Sequence, residues 1–363
     1  MGVKDSLRLS ALECGNLDRR KLLQAMGVAA AAGFSTSMLP GTAAFAAGSA
    51  QLGASGTGFQ AVAYNHINYQ VAEYAKVRDF YINLFGMKCV WDDGKQCSLE
   101  FGDPPNAIYL RPLRQPLDRP AGTGPSANWT EQMGQGNVDH LAFSIEHFQL
   151  DSVKAELTRR GLNPLPDGPF AWTIKDPSGF MIQICATRGV FPGQALPGAK
   201  ESDGTKNLDS IPKPDGKSYK AVSISHLVLM VSDVDKCRDF YRDLLGMKLV
   251  YYKPGGVFGV DTVGGPVCFL KFGDNYLYLR QSEHPEHKPY IAHFAPAVEN
   301  YDQAAVQADL IRRGYKPTPD SKYGWTIHDP AGMRVEVAGK GLPEHVSGDC
   351  NGANANCPGG PDR

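Results

Sequence analysis

The chain repeats itself, and the repeat limits its possible folds more than any other feature. Lys76-Val77-Arg78-Asp79-Phe80-Tyr81 returns 160 residues later as Lys236-Cys237-Arg238-Asp239-Phe240-Tyr241, and Gly86-Met87-Lys88 returns at the same offset as Gly246-Met247-Lys248. Further along the offset is 153. Arg159-Arg160-Gly161 returns as Arg312-Arg313-Gly314, Trp172-Thr173-Ile174 as Trp325-Thr326-Ile327, and Asp176-Pro177 with Gly179 as Asp329-Pro330 with Gly332. A fixed order of matches means two copies of one supersecondary unit, and the change of offset means their internal loops differ in length. The copies run over 60–188 and 221–340, which suits two domains of ordinary size in a 363-residue chain. The stretch 189–220 is loaded with Pro, Gly, Lys, Asp and Ser and reads as a linker. Residues 341–363 form a polar Gly/Asn/Pro tail with little to bury, hence a disordered tail.

Within a copy the pattern is strand, helix, strands, twice over. His226 to Val231 is β-branched and apolar and predicts a strand. Val234, Cys237, Tyr241, Leu244 and Leu245 then fall at helical spacing, and Gly246 predicts a left-handed stop. Tyr276 to Leu279 and the segment at Ile291 predict strands, Ala304 to Arg313 an amphipathic helix stopped by Gly314, and Trp325 and Met333 begin the last strands. Asp329-Pro330-Ala331-Gly332 is a tight turn between them. Each copy is thus two βαβββ halves, and the class is α+β.

The first 47 residues carry an address. Asp18-Arg19-Arg20-Lys21-Leu22-Leu23 precedes an apolar run from Ala25 to Leu39, and Ala44-Phe45-Ala46 supplies a small-x-small cleavage signal. The adjacent arginines resemble a twin-arginine export signal, with Asp18 and Leu22 as imperfect flanks. That resemblance implies the export machinery as a partner, a periplasmic or secreted location, and passage in folded form, so that a metal could be loaded beforehand. The apolar run is too short for a stable membrane span, and no later segment reaches 18 unbroken apolar residues. A formal net charge of -1 gives no support for nucleic acid or an anionic membrane as partner. Cys89, Cys97, Cys185, Cys237 and Cys268 read as small buried hydrophobes. Cys350 and Cys357 in the tail could pair or stay as free thiols.

Three residues of the second copy carry chemistry. His226 lies on its first strand, His293 opens the first strand of its second half, and Glu336 lies on its last strand. The matching residues of the first copy are His66, His140 and Gln183. Two imidazoles and one carboxylate form the three-ligand face of non-haem Fe(II) oxygenases, which leaves positions open for substrate and oxygen. Zn(II), Mn(II), Ni(II) or Co(II) suit the same donors. Gln183 is a neutral, weaker ligand, which makes the first copy a degenerate site.

The Asp239-Phe240-Tyr241 and Leu245-Gly246-Met247 motif, and the ending Asp-Pro-x-Gly-x-x-x-Glu from Asp329 to Glu336, resemble the vicinal oxygen chelate superfamily. That group includes glyoxalase I, bleomycin-resistance proteins, methylmalonyl-CoA epimerase and extradiol ring-cleaving dioxygenases. The resemblance covers both copies and implies two cup-like mixed sheets. Glyoxalase-like and epimerase-like members add a fourth ligand, a Glu; its position here is Tyr278, with Tyr109 in the first copy. A three-ligand site on the second of two domains resembles the extradiol dioxygenases, which act on catecholic or phenolic small molecules with Fe(II) and O2. Such enzymes keep an acid-base His and a Tyr before the last strands. Thr326 stands where that Tyr is expected, while His284 and His287 could serve as the base or be solvated loop histidines. Tyr278 could meet a substrate oxygen or pack as a strand aromatic. Arg280 and Arg111 follow the two tyrosines, as a substrate-anion clamp or as solvated strand ends. Three readings follow: an Fe(II) dioxygenase, a metal-dependent lyase or isomerase, and a non-enzymatic small-molecule binder.

Overall fold

A computed structural model of the chain describes residues 58–113, 136–194, 208, 211–213, 216–254, 265–282, 288–319 and 324–340. The expected signal, the tail with Cys350 and Cys357, most of the loop from Pro112 to Asn137, and His284 and His287 lie outside these residues.

The first module runs β1 (Ala61–Val71), α1 (Tyr74–Phe85), β2 (Lys88–Asp92), β3 (Cys97–Phe101), β4 (Asn106–Pro112), β5 (Gly136–Ile145), α2 (Leu150–Arg159), β6 (Leu165–Pro166), β7 (Ala171–Lys175) and β8 (Met181–Cys185). The second repeats it as β9 (Ala221–Val231), α3 (Val234–Leu245), β10 (Lys248–Lys253), β11 (Val267–Phe272), β12 (Asn275–Gln281), β13 (Tyr290–Val298), α4 (Gln303–Arg312), β14 (Thr318–Pro319), β15 (Gly324–His328) and β16 (Arg334–Ala338). Each module is one eight-stranded mixed sheet, ordered β2-β3-β4-β1-β5-β8-β7-β6 and β10-β11-β12-β9-β13-β16-β15-β14. The α+β class and the βαβββ halves expected from the sequence are present. The halves of a module join where its central strands pair antiparallel, β1 with β5 and β9 with β13.

Local chemistry sets the helix ends. The Asp233 carboxylate accepts from the Lys236 N–H and caps α3, and Gly246 ends it at φ 63°, a conformation that costs a residue with a Cβ. Asp302 caps α4 in the same way from the Ala305 N–H, so that helix starts at Gln303, one residue before the sequence suggests. Trp172 and Trp325, which recur in the repeat, donate their indole N–H to the carbonyls of Leu150 and Gln303, fixing the starts of α2 and α4.

Side chains alternate between the faces of a strand, and here the alternation separates core from cup. Leu227, Leu229 and Val231 of β9, Leu277 and Leu279 of β12, and Val335 and Val337 of β16 join one large apolar core. The intervening Val228, Met230, Tyr276 and Tyr278 form a separate cluster on the opposite, concave face. His226 and Glu336 take their strands' concave-side places in that alternation.

The two modules share their core. Tyr64 meets Phe272 at a ring-centroid distance of 4.8 Å, Phe143 meets Phe272 at 5.5 Å, and Tyr81 meets Phe294 at 5.9 Å. Matched residues make matched contacts across the join. The Phe59 N–H donates to the Leu244 carbonyl at 2.7 Å and the Tyr219 N–H to the Leu84 carbonyl at 2.8 Å. The Tyr81 hydroxyl donates to Asp329 at 2.9 Å and the Tyr241 hydroxyl to Asp176 at 3.0 Å. No helix among the described residues is long and apolar enough to cross a membrane.

Candidate metal centre

The second cup brings together the three side chains that the sequence singles out. His226 Nε2 lies 3.1 Å from His293 Nε2 and 3.2 Å from Glu336 Oε2, and His293 Nε2 lies 3.8 Å from the same oxygen. The side chains are 12%, 8% and 4% exposed. They come from β9, β13 and β16, which are adjacent in the sheet, so hydrogen-bonded backbone fixes their separation.

The triangle fits a cation. At the usual ligand distance of about 2.1 Å, neighbouring donors stand about 3.0 Å apart in an octahedron and about 3.4 Å apart in a tetrahedron. Two observed edges fall between these values and the third is longer, and a single point lies within about 2.1 Å of all three atoms. Burial holds the His293 imidazole well below its usual range, and Arg334, His226 and Arg280 push it the same way. A neutral imidazole is the form that donates a lone pair to a metal.

Gly324 makes room for the carboxylate. A Cβ on Gly324 would stand 1.5 Å from Glu336 Oε1 and 2.4 Å from its Cδ. Thr326 faces Glu336 directly across the β15–β16 ladder. It stands where the resemblance leads one to expect a tyrosine. A tyrosine does approach from elsewhere. Tyr301, just before α4, carries a buried hydroxyl with no hydrogen-bond partner among the described residues. Burial raises its phenol, and the neighbouring Glu336 and Asp302 charges raise it further. Neither Gly324 nor Tyr301 carries ligand chemistry, so neither stands out in one copy alone. Aligning the copies at offset 153 exposes both, because the first copy has Ala171 and Phe148 in their places.

The first cup keeps the histidines and loses the carboxylate. His66 Nε2 and His140 Nε2 are 3.2 Å apart. Their other ring nitrogens face Asn65 Oδ1 at 3.0 Å and Asp139 Oδ2 at 3.1 Å. Gln183 turns its amide nitrogen to Asp167 instead of completing the face. The chain leaving β8 then fills the cup. Phe191 packs with Val90, Ala107 and Tyr109, and its ring lies 5.4 Å from that of His66. The segment is tied down by the Val190 N–H on Gln194 Oε1, the Gln194 amide on the Thr187 carbonyl, and Asn65 on the Ala186 carbonyl. The start of the stretch read as a linker is therefore a plug.

Tyr278 occupies the concave face one strand from His226 and stacks on Phe269 at 4.1 Å and 15°, with Phe269 in turn 6.4 Å from the His226 ring. Arg280 is buried, not a solvated strand end.

The sequence matches the family described as the Glyoxalase/Bleomycin resistance protein/Dioxygenase superfamily over residues 63–184 and 223–337. No curated protein matches by sequence. Among solved structures, the 2,3-dioxygenase LapB from Pseudomonas sp. KL28 is similar at a TM-score of 0.53 and 16% identity, over 78% of this chain and 94% of that one. A Mn(II)-bound glyoxalase from Novosphingobium aromaticivorans is similar at 0.52 and 16%, over 83% and 93%. A variant of homoprotocatechuate 2,3-dioxygenase from Brevibacterium fuscum is similar at 0.50 and 15%, over 78% and 72%. At these identities the likeness is one of fold. With both modules matched over most of their length, the chain belongs to the glyoxalase, bleomycin-resistance and dioxygenase superfamily, in a tandem two-module form.

Proposed function

We propose that the chain is an exported metal-dependent enzyme of this superfamily, an extradiol-type dioxygenase acting on a catecholic or phenolic small molecule, with Fe(II) held by His226, His293 and Glu336. The observation that carries this reading is the three-donor face with Tyr278, not a carboxylate, at the place of a fourth ligand. Three donors leave room for a substrate that chelates through two oxygens and for O2. When bound, the ion supplies Lewis-acid and template chemistry for those oxygens.

The chain's own residues fit that role. The concave face of Val228, Phe269, Tyr278 and Tyr290 is apolar and aromatic, which suits a flat ring and excludes water. Arg280 and Arg334 set positive charge beside His293, where an ionised phenol would lie. We assign proton removal from the substrate to His284 or His287. The protein is exported by the twin-arginine route to the periplasm or outside the cell, with no nucleic acid partner and no stable membrane span after processing.

The Mn(II)-bound glyoxalase of similar fold supports a second reading, a lyase or isomerase using Zn(II), Mn(II) or Ni(II) at the same three donors. Metal analysis of anaerobically purified protein, followed by O2 uptake on adding catechols, separates the readings. About one equivalent of iron with catechol-dependent uptake is expected. Zinc, manganese or nickel that is lost in Glu336→Gln, without uptake in the wild type, would favour the lyase or isomerase. A metal-free protein would leave a small-molecule binder.

A further inference from the structure

The edge hairpin of the first module holds a second group of metal-ligand side chains, remote in chemistry from the first. Cys89 and Asp92 lie on β2 and Cys97 opens β3. Their two sulfurs and one carboxylate oxygen all lie within 4.8 Å of one another. Cys97 and Asp92 are buried and Cys89 is partly exposed, which gives a route from solvent.

The carboxylate is already fixed as metal carboxylates are, by donors to its own oxygens. Arg78 Nη1 donates to Oδ2 at 2.7 Å, while the Tyr74 hydroxyl at 3.3 Å and the Gly94 N–H at 2.8 Å donate to Oδ1. Two thiolates and Asp92 would be offset by one divalent cation and in part by the Arg78 guanidinium, which also pairs with the more exposed Asp79 at 2.8 Å.

A disulfide fits less well. Asp92 pairs with Cys97 across the ladder and Cys89 pairs with Leu99, so the two cysteines are diagonal neighbours. Diagonal positions of a regular ladder lie about 7–8 Å apart, beyond the Cα separation of about 6.8 Å at which disulfides form readily, and a β-bulge between Cys89 and Trp91 interrupts this one. Thiolates bound at about 2.3 Å to a tetrahedral cation stand about 3.8 Å apart, and the two sulfurs here already lie within 4.8 Å of each other.

The second module shows that the fold does not require the group. Cys268 has the place of Cys97, pairing with Leu279 as Cys97 pairs with Leu110. Leu249 and Tyr252 replace Cys89 and Asp92, and Arg238 lies 5.0 Å over the Tyr252 ring.

We infer that Cys89, Asp92 and Cys97 form a site for a thiophilic divalent cation of the zinc or cadmium class, independent of the His226–His293–Glu336 centre. Binding forms two metal–sulfur bonds and releases the two thiol protons to solvent. It ties the edge hairpin to α1 through Arg78 and Tyr74.

Cadmium titration of the full chain tests this, with Cys14, Cys350 and Cys357 changed to Ser and a phosphine keeping the thiols reduced. The readout is the ultraviolet thiolate-to-cadmium charge-transfer band, which imidazole and carboxylate ligands do not produce. The band should saturate at one cadmium per chain in Glu336→Gln, where the other centre does not compete for the ion, and should vanish in Cys89→Ser and in Cys97→Ser. Cys89→Ser alone decides the matter if the buried Cys97→Ser fails to fold. Absence of a band, a band unchanged in Cys89→Ser, or an intramolecular disulfide forming in place of cation uptake would overturn the assignment. None of these outcomes bears on metal at the other centre.

Discussion

Gly324 and Ala171 hold matched places on β15 and β7, and one methyl group accompanies the divergence of the two cups. With no Cβ at 324, Glu336 points at the histidines; with Ala171 in its place, Gln183 swings to Asp167. Gly324→Ala should therefore displace the carboxylate. We expect at least a tenfold loss of metal affinity, about 1.4 kcal/mol, with a stability cost of about 1–3 kcal/mol from overpacking. Equilibrium dialysis against metal, beside thermal unfolding, reads both; unchanged affinity would show that Glu336 relaxes freely. At this scale the sequence was legible where chemistry restricts residue type. Histidine and glutamate at strand positions shared by the copies announce themselves. Gly324 acts by leaving space and Tyr301 by lying beside a carboxylate, and space and proximity across strands are not written in a local pattern.

The elements followed from period and caps: α3, capped by Asp233, spans the residues its spacing predicts, and α4 begins one residue early where Asp302 captures the Ala305 N–H. What the sequence did not explain was why Tyr81 and Tyr241, and the Asp176 and Asp329 turns, recur together. The structure answers that each tyrosine of one module donates to the turn of the other. Tyr81→Phe should cost about 1–2 kcal/mol, since it removes one donor from a buried carboxylate; urea unfolding measures it. Burial pushes Asp329 up to about 6, only partly countered by its hydrogen bonds to Tyr81 and the turn N–H groups. A carboxyl raised in the folded state binds its proton more tightly there than when unfolded, so its contribution falls as pH rises from about 4 to about 6. Asp329→Asn removes that titration. The variant should gain on the wild type by on the order of 2–3 kcal/mol across that window. A gain that shrinks with rising pH would contradict the account.

For the whole molecule, duplication and topology were legible, but the sharing of one core was not, because apolar strand faces do not name their partners. The faces of Tyr64, Phe143 and Phe272 belong to different modules and bury one another. Residues 58–194 and 216–340 expressed separately should therefore lack cooperative unfolding and should regain it on mixing, as followed by near-ultraviolet circular dichroism. Two fragments that melt cooperatively alone would show the modules to be self-sufficient. The division of labour between modules is the second consequence: one cup is plugged by Phe191 and the other keeps its three donors. Metal content of anaerobically prepared protein tests that claim most directly, measured by mass spectrometry on the wild type, Glu336→Gln, and His66→Ala with His140→Ala. The account predicts about one iron per chain in the wild type and in the double variant, at a site built as metal sites are, with any zinc-class ion at Cys89, Asp92 and Cys97 counted apart. It predicts almost no iron in Glu336→Gln. A full complement of iron in Glu336→Gln, or its loss on changing His66 and His140, would contradict it.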